Sequence, residues 1–382
     1  MFIRDAAMGM ATKAAVVLTL LGAVQTSANE LVKVPIKSTL ISDATGFDSS
    51  APMTNAQVKV VTAVQAGDGQ TFPNVLVDTG SAILWVGAEQ KYVPGQYTQV
   101  MNQTFSVGYG SGGVNGTAYM DRVTIGSATV DNQIIGSEGY ITGFTLVEPI
   151  DGLLGLGPPN SNQGEVSGYN TTPTFMDNLY AQGSISEPVF GLYIAPYVDG
   201  EENTGEITFG GVDSSKFTGD IEWIAQTTPT NEHWNFMASS LGWGNITVSP
   251  PIYARTDCGV LYILIPTETA LDIVHAVPGA SLDESDSQLS ACLVFPSNMT
   301  VAELPALDIG LGNLSVSIPA TDYVVPESMY PLLNVTDDGQ IHTWLCPGGP
   351  AFVGLGQKAL ERIYSAYDIV NNLVGFAIAA DA

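Results

Sequence analysis

Short apolar runs broken by glycine-rich and polar turns dominate the chain from about residue 57 onward, which predicts many short strands and few helices. Strands are expected from Gln57 to Val64 and again from Phe72, with Gly67-Asp68-Gly69 as the turn between them. The second runs through Val75-Leu76-Val77 into Asp78-Thr79-Gly80-Ser81, and a further apolar run, Ala82 to Val86, leaves. Phe105 to Gly113 and Val114 to Ile125 predict a long hairpin with Tyr109 near a glycine-rich tip. Asp151 to Gly157, Val189 to Ile194, Gly205 to Gly211, Ala351 to Gly356 and Leu373 to Ile378 read as further strands, and Leu31 to Lys37 as an opening one. Helices are expected at Pro173 to Gln182, Glu268 to Val277 and Leu360 to Tyr364.

Asp78 is the position this pattern singles out. A carboxylate between two buried strands is costly unless hydrogen bonds or a partner stabilise it. Gly80 lets the backbone pass close by, and Thr79 and Ser81 bring hydroxyls to hold the acid. A lone Asp-Thr-Gly is a weak motif. Yet 179 residues further on, Asp257-Cys258-Gly259-Val260 stands beside a second apolar run, Leu261 to Ile265. Two such loops suggest a unit duplicated about an approximate twofold axis, where two acids meet and share a proton.

On these residues, and on Trp85 after the first loop, the chain resembles the pepsin-like aspartic proteases, most closely the fungal polyporopepsin-like group. The resemblance runs from about Asn55 to the C-terminus. It implies an all-β fold of two related lobes with a central cleft and a flap hairpin. Asp78 and Asp257 are then the catalytic pair, supported by Thr79, Gly80, Ser81, Cys258 and Gly259. Tyr109, Gly110, Ser111 and Trp85 form the flap and its footing. Cys292 and Cys346 take the place of the C-terminal-lobe disulfide, which leaves Cys258 unpaired. The implied reaction is peptide hydrolysis through an activated water, with no cofactor, no metal and no covalent intermediate. The substrate is a polypeptide in extended conformation and the enzyme a monomer. The second loop departs from the family's pattern at Cys258 and Val260, where it lacks hydroxyls, and Arg255 and Thr256 stand where apolar residues are usual. The alternative is therefore a pepsin-fold binding protein that is weakened or inactive.

The resemblance also divides the chain. Residues 1–28 have the order of a secretory signal, Arg4 and Lys13 preceding the apolar run Ala14 to Val24. Residues 29–54 resemble a short propeptide, in which Lys33 and Lys37 are the candidates for reaching the active-site carboxylates. The N-terminal lobe is expected at 55–210 and the C-terminal lobe at 211–382.

Composition narrows the setting. With 38 acidic against 11 basic residues and a net charge of −27, the chain is a poor partner for nucleic acid or anionic membranes. Seven Asn-x-Ser/Thr sequons, at Asn102, Asn115, Asn170, Asn245, Asn298, Asn313 and Asn334, agree with a secreted, extracellular glycoprotein. The three histidines, at 233, 275 and 342, make no metal-binding motif, and no Gly-x-Ser-x-Gly marks a serine hydrolase. Gly108 to Gly113 matches a dinucleotide-binding spacing but no helix pattern follows it.

Overall fold

A computed structural model describes residues 31–40, 58–110, 112–142, 150–196, 204–228 and 232–381. The expected signal at 1–28, most of the propeptide-like segment and Ser111 lie outside the described residues.

The strands of the first half are β1 (Val32–Leu40), β2 (Val58–Ala66), β3 (Gln70–Asp78), β4 (Leu84–Val86), β5 (Gln99–Tyr109), β6 (Gly112–Ile125), β7 (Ala128–Thr142) and β8 (Gly152–Gly155). They belong to a 13-stranded sheet. Its far edge comes from later chain: Thr204–Phe209 pairs with β1, and Val189–Tyr193, Ile363–Asp368, Leu373–Ala379 and Phe217–Ala225 follow in turn. The sheet therefore crosses the expected lobe boundary near Gly210, with strands from both halves lying side by side.

The duplication shows in strand pairing. β3 runs parallel to β8, β8 antiparallel to β4, and β4 parallel to β7. In the second half Ile252–Thr256 runs parallel to Phe352–Leu355, which is antiparallel to Ile263–Ile265, itself parallel to Leu345–Pro347. Parallel neighbours need long crossovers, so each half folds its two defining strands from distant sequence. Such strands are buried on both faces and read as continuous apolar runs rather than alternating ones; all four residues of β8 are buried.

Between the halves lies an aromatic seam. Phe190 stacks on Tyr367 at 4.6 Å between centroids, and Trp234 packs against Tyr367 at 4.9 Å. The Trp234 indole N–H donates to Leu156 O at 2.9 Å, joining the second half to the segment that follows β8. Aromatic pairs of this kind add about 0.5–1.5 kcal/mol beyond their buried area.

The helices expected near 173–182 and 268–277 form, as Phe175–Ala181 and Thr267–Ala276. The first is capped at both of its leading donors by a Thr174–Asp177 capping box. The helix expected over Leu360 to Tyr364 is displaced. It spans Gln357–Leu360, and Ile363–Asp368 is instead a fully buried strand between Val189–Tyr193 and Leu373–Ala379. Pairing on both sides of that strand overrides its local helical reading.

Candidate active site

β3 and β8 end together, with Asp78 opposite Gly155, and the matching pair ends with Thr256 opposite Leu355, one residue before Asp257. The amide of Leu156 donates to Asp78 O at 2.7 Å, and the amide of Asp257 donates to Leu355 O at 3.0 Å. Each acid is thus delivered at the end of a pinned parallel pair, and Asp78 lies close enough to Asp257 to raise its pKa.

Glycine makes this approach possible. A Cβ on Gly80 would lie 2.5 Å from Asp257 Oδ2, and one on Gly259 would lie 2.5 Å from Asp78 Oδ1. Their amides do parallel work: Gly80 N donates to Asp78 Oδ1 at 2.8 Å and Gly259 N to Asp257 Oδ1 at 3.1 Å.

The loops also grip each other from behind. Thr79 Oγ1 accepts from Cys258 N at 3.0 Å, while Cys258 Sγ accepts from Thr79 N at 3.3 Å and donates to Val77 O at 3.3 Å. The expectation that Cys258 costs the second loop a hydroxyl function is corrected here. Its sulfur completes the reciprocal bond that Thr79 begins. Burial, reinforced by the charge on Asp78, pushes the thiol well above its usual range, so it stays protonated and unreactive.

Val260 is the departure with a consequence. Ser81 Oγ donates to Asp78 Oδ2 at 2.5 Å. Val260 stands at the same offset from Asp257 and has no hydroxyl to donate. Burial, then the charge and hydrogen bond of Asp78, raise the pKa of Asp257; Arg255 and the Gly259 amide oppose this and lose. The pair is asymmetric, with Asp78 better supplied as a carboxylate and Asp257 as an acid.

Tyr109, at the end of β5, is latched to the lobe below by Trp85 Nε1, which donates to its hydroxyl at 2.8 Å. Trp85 is buried, and Gly110 is exposed at the hairpin tip. Cys292 and Cys346 form a disulfide across 54 residues, and Cys346 pairs with Leu264 on the strand leaving the Asp257 loop.

Three nearby groups were not singled out in advance. Lys59 Nζ donates to Gly259 O at 3.2 Å; burial lowers its pKa against the upward pull of Asp78 and Asp257. Lys33, one of the two expected candidates for reaching the carboxylates, instead pairs with Asp213 and Glu206. The signal for Lys59 is a single cation inside the apolar run Val58 to Val61. His233 Nδ1 lies 2.9 Å from Gly80 O, a carbonyl that can only accept, so Nδ1–H donates; burial together with Arg255 lowers the ring's pKa. Glu165 places a third carboxyl near Asp78, which nothing in its loop sequence announces.

The eukaryotic aspartyl protease family matches residues 60–379. The chain belongs to that family. Polyporopepsin of Irpex lacteus is 31% identical over 341 residues, which is 86% of this chain and 96% of that protein. Cathepsin E of Mus musculus is 30% identical over 319 residues, 79% of this chain and 76% of that protein. The crystal structure of the aspartic proteinase from Irpex lacteus superposes with a TM-score of 0.78 at 27% identity, covering 92% of this chain and 98% of the other. The all-β, bilobal pepsin-like fold implied by the sequence is the fold observed, and the family is one of aspartic endopeptidases.

Proposed function

We propose that this protein is a secreted aspartic endopeptidase in which Asp78 and Asp257 are the catalytic pair. The observation that carries the reading is the close approach of the two carboxyls at the meeting of two glycine loops, each of which leaves room for the opposite acid. One proton shared between them serves both halves of the reaction. Asp78, ionised, accepts a proton from a water that attacks the scissile carbonyl carbon. Asp257, protonated, hydrogen-bonds the carbonyl oxygen and stabilises the charge that develops there. The tetrahedral intermediate collapses as a proton passes to the leaving amine, so the bond breaks without an acyl-enzyme. Tyr109, held by Trp85, carries the flap that closes over an extended peptide and excludes water.

The pair works between its two apparent pKa values, where one carboxyl is ionised and the other protonated, a window that includes acid pH. Secretion is supported by the sequons: all seven asparagines are exposed, where a glycan can be carried. With Cys258 keeping its cross-loop bonds, the loss relative to a fully hydroxylated pair reduces to one hydrogen bond at Val260, worth about tenfold in rate.

Lys59 favours the second reading, a binding protein of weakened activity, because its ammonium occupies an acceptor of the catalytic loop. Hydrolysis of an unfolded protein from about pH 2.5 to 7, the span in which a coupled carboxyl pair titrates, separates the two. Pepstatin-sensitive cleavage supports the enzyme, and its absence in folded, processed protein supports the binder.

A further inference from the structure

The loop between β8 and the helix Phe175–Ala181 holds a carboxyl that the proposed mechanism does not use. Glu165 accepts from the amide of Ser106 through its own carbonyl at 2.8 Å, and its neighbour Val166 bridges Phe105 on the flap strand β5. Val166 is buried in the cluster that contains Ile83, Trp85, Phe105 and Val107. The Glu165 backbone is therefore fixed at the foot of the flap. Its carboxyl lies close enough to Asp78 and Tyr109 that the charge on Asp78 raises its pKa and its own charge raises that of Tyr109.

One oxygen of this carboxyl, Oε2, is buried and has no hydrogen-bond partner among the described residues. That is an expensive arrangement for a purely structural glutamate. A buried acceptor left unpaired costs the full desolvation of the group, and a second carboxylate nearby adds repulsion. A leucine or glutamine would fill the same place at less cost. The position lacks a donor, and the missing donor is best a cation, since a cation answers both the unpaired oxygen and the repulsion from Asp78.

We propose that Glu165 is a specificity-determining residue that receives a basic side chain, lysine or arginine, of the polypeptide substrate on the flap side of Asp78. The proposal rests on the protease reading for the source of the ligand. The Glu165 loop is anchored on the buried apolar cluster at the foot of the flap, and its carboxyl suits the head of such a side chain. Burial, and secondarily the charge on Asp78, pushes the Glu165 carboxyl up to about 8. An arriving cation reverses that push and draws the proton off. Asp257 and the buried Lys59 bear on each other and lie near Asp78.

The test uses two matched peptide pairs, each differing only in lysine against norleucine at one position. One pair is cleavable; the other carries a statine in place of the scissile bond. kcat/KM is measured for the first and Kd by calorimetry for the second, with lysine moved through each position on the N-terminal side of the bond. At one position the lysine peptide is expected to be favoured by about tenfold or more in both measurements, as for a charge-assisted hydrogen bond. Glu165→Gln is expected to collapse that ratio towards one. Cleavage without a preference for lysine at any position overturns the proposal, as does a preference that survives Glu165→Gln. Absent cleavage with lysine-selective statine binding overturns the protease reading and leaves the Glu165 site standing. Absent cleavage with no selective binding overturns both.

Discussion

Replacing Val260 by serine gives the second loop the hydroxyl that Ser81 gives the first. Ser81 Oγ sits 2.5 Å from Asp78 Oδ2, and the two loops match in their Gly80 and Gly259 contacts, so a serine at 260 has an acceptor waiting on Asp257. Hydrogen bonds to charged groups contribute about 1.5–3 kcal/mol. Taking the lower end, because the site is shaped for valine, the change is about one pKa unit. The donor favours the ionised form of Asp257, whose pKa therefore falls from its raised value. The working pair must keep one proton, and that proton leaves as pH rises through the upper apparent pKa of the pair. The basic limb of the kcat/KM profile should therefore move down by about one pH unit. The acid limb should move less. The assay is the pH dependence of kcat/KM on a quenched fluorescent peptide, with thermal unfolding as a check on folding. A folded Val260→Ser protein whose basic limb stays in place, or moves up, refutes the asymmetry argued here. Ser81→Val supplies the mirror image: it strips the Ser81 donor from the Asp78 carboxylate and should move the acid limb up.

Cys258→Ala leaves the buried amide of Thr79 and carbonyl of Val77 without the sulfur, and should cost about 1–3 kcal/mol in denaturant unfolding. Cys258→Ser keeps both bonds and should lose about 1 kcal/mol or less; equal losses in the two variants would contradict the cross-loop role. Lys59→Met removes a cation that favours both carboxylates, so the pair's pKa values rise and the whole kcat/KM profile should shift to higher pH, by about half a unit to one unit. An unchanged profile would mean that Lys59 does not bear on the pair. Opening the Cys292–Cys346 bridge with serines should lower stability by about 4 kcal/mol in the chain-entropy view of a loop this long; an unchanged unfolding midpoint would show the bridge to be idle.

Asp78 was legible because its whole setting is local: strand, acid, glycine, hydroxyl, strand. Asp257 was legible only as a repeat of that setting, since its own loop had lost two of the usual residues. The pairing of β3 with β8, and of Ile252–Thr256 with Phe352–Leu355, joins segments that no periodicity connects. Contacts formed through space were the least legible. Lys33 and Lys37 lie in the segment where a blocking lysine was expected, yet Lys59 is the one that reaches the catalytic loop. Cys258 reads as a lost hydroxyl until its sulfur is seen between Thr79 and Val77. Glu165 reads as one more acid in a polar loop until that loop is found bridged to β5. Local chemistry travels in the sequence, whereas the partner of a side chain is set by the fold.

The most direct measurement is kcat/KM for one peptide substrate across the acidic range in the unaltered protein, Asp78→Asn and Asp257→Asn. A shared-proton pair predicts a bell-shaped profile in the unaltered protein and loss of activity in each variant, with folding retained. A folded variant that keeps most of its activity would show that the two carboxyls do not act together.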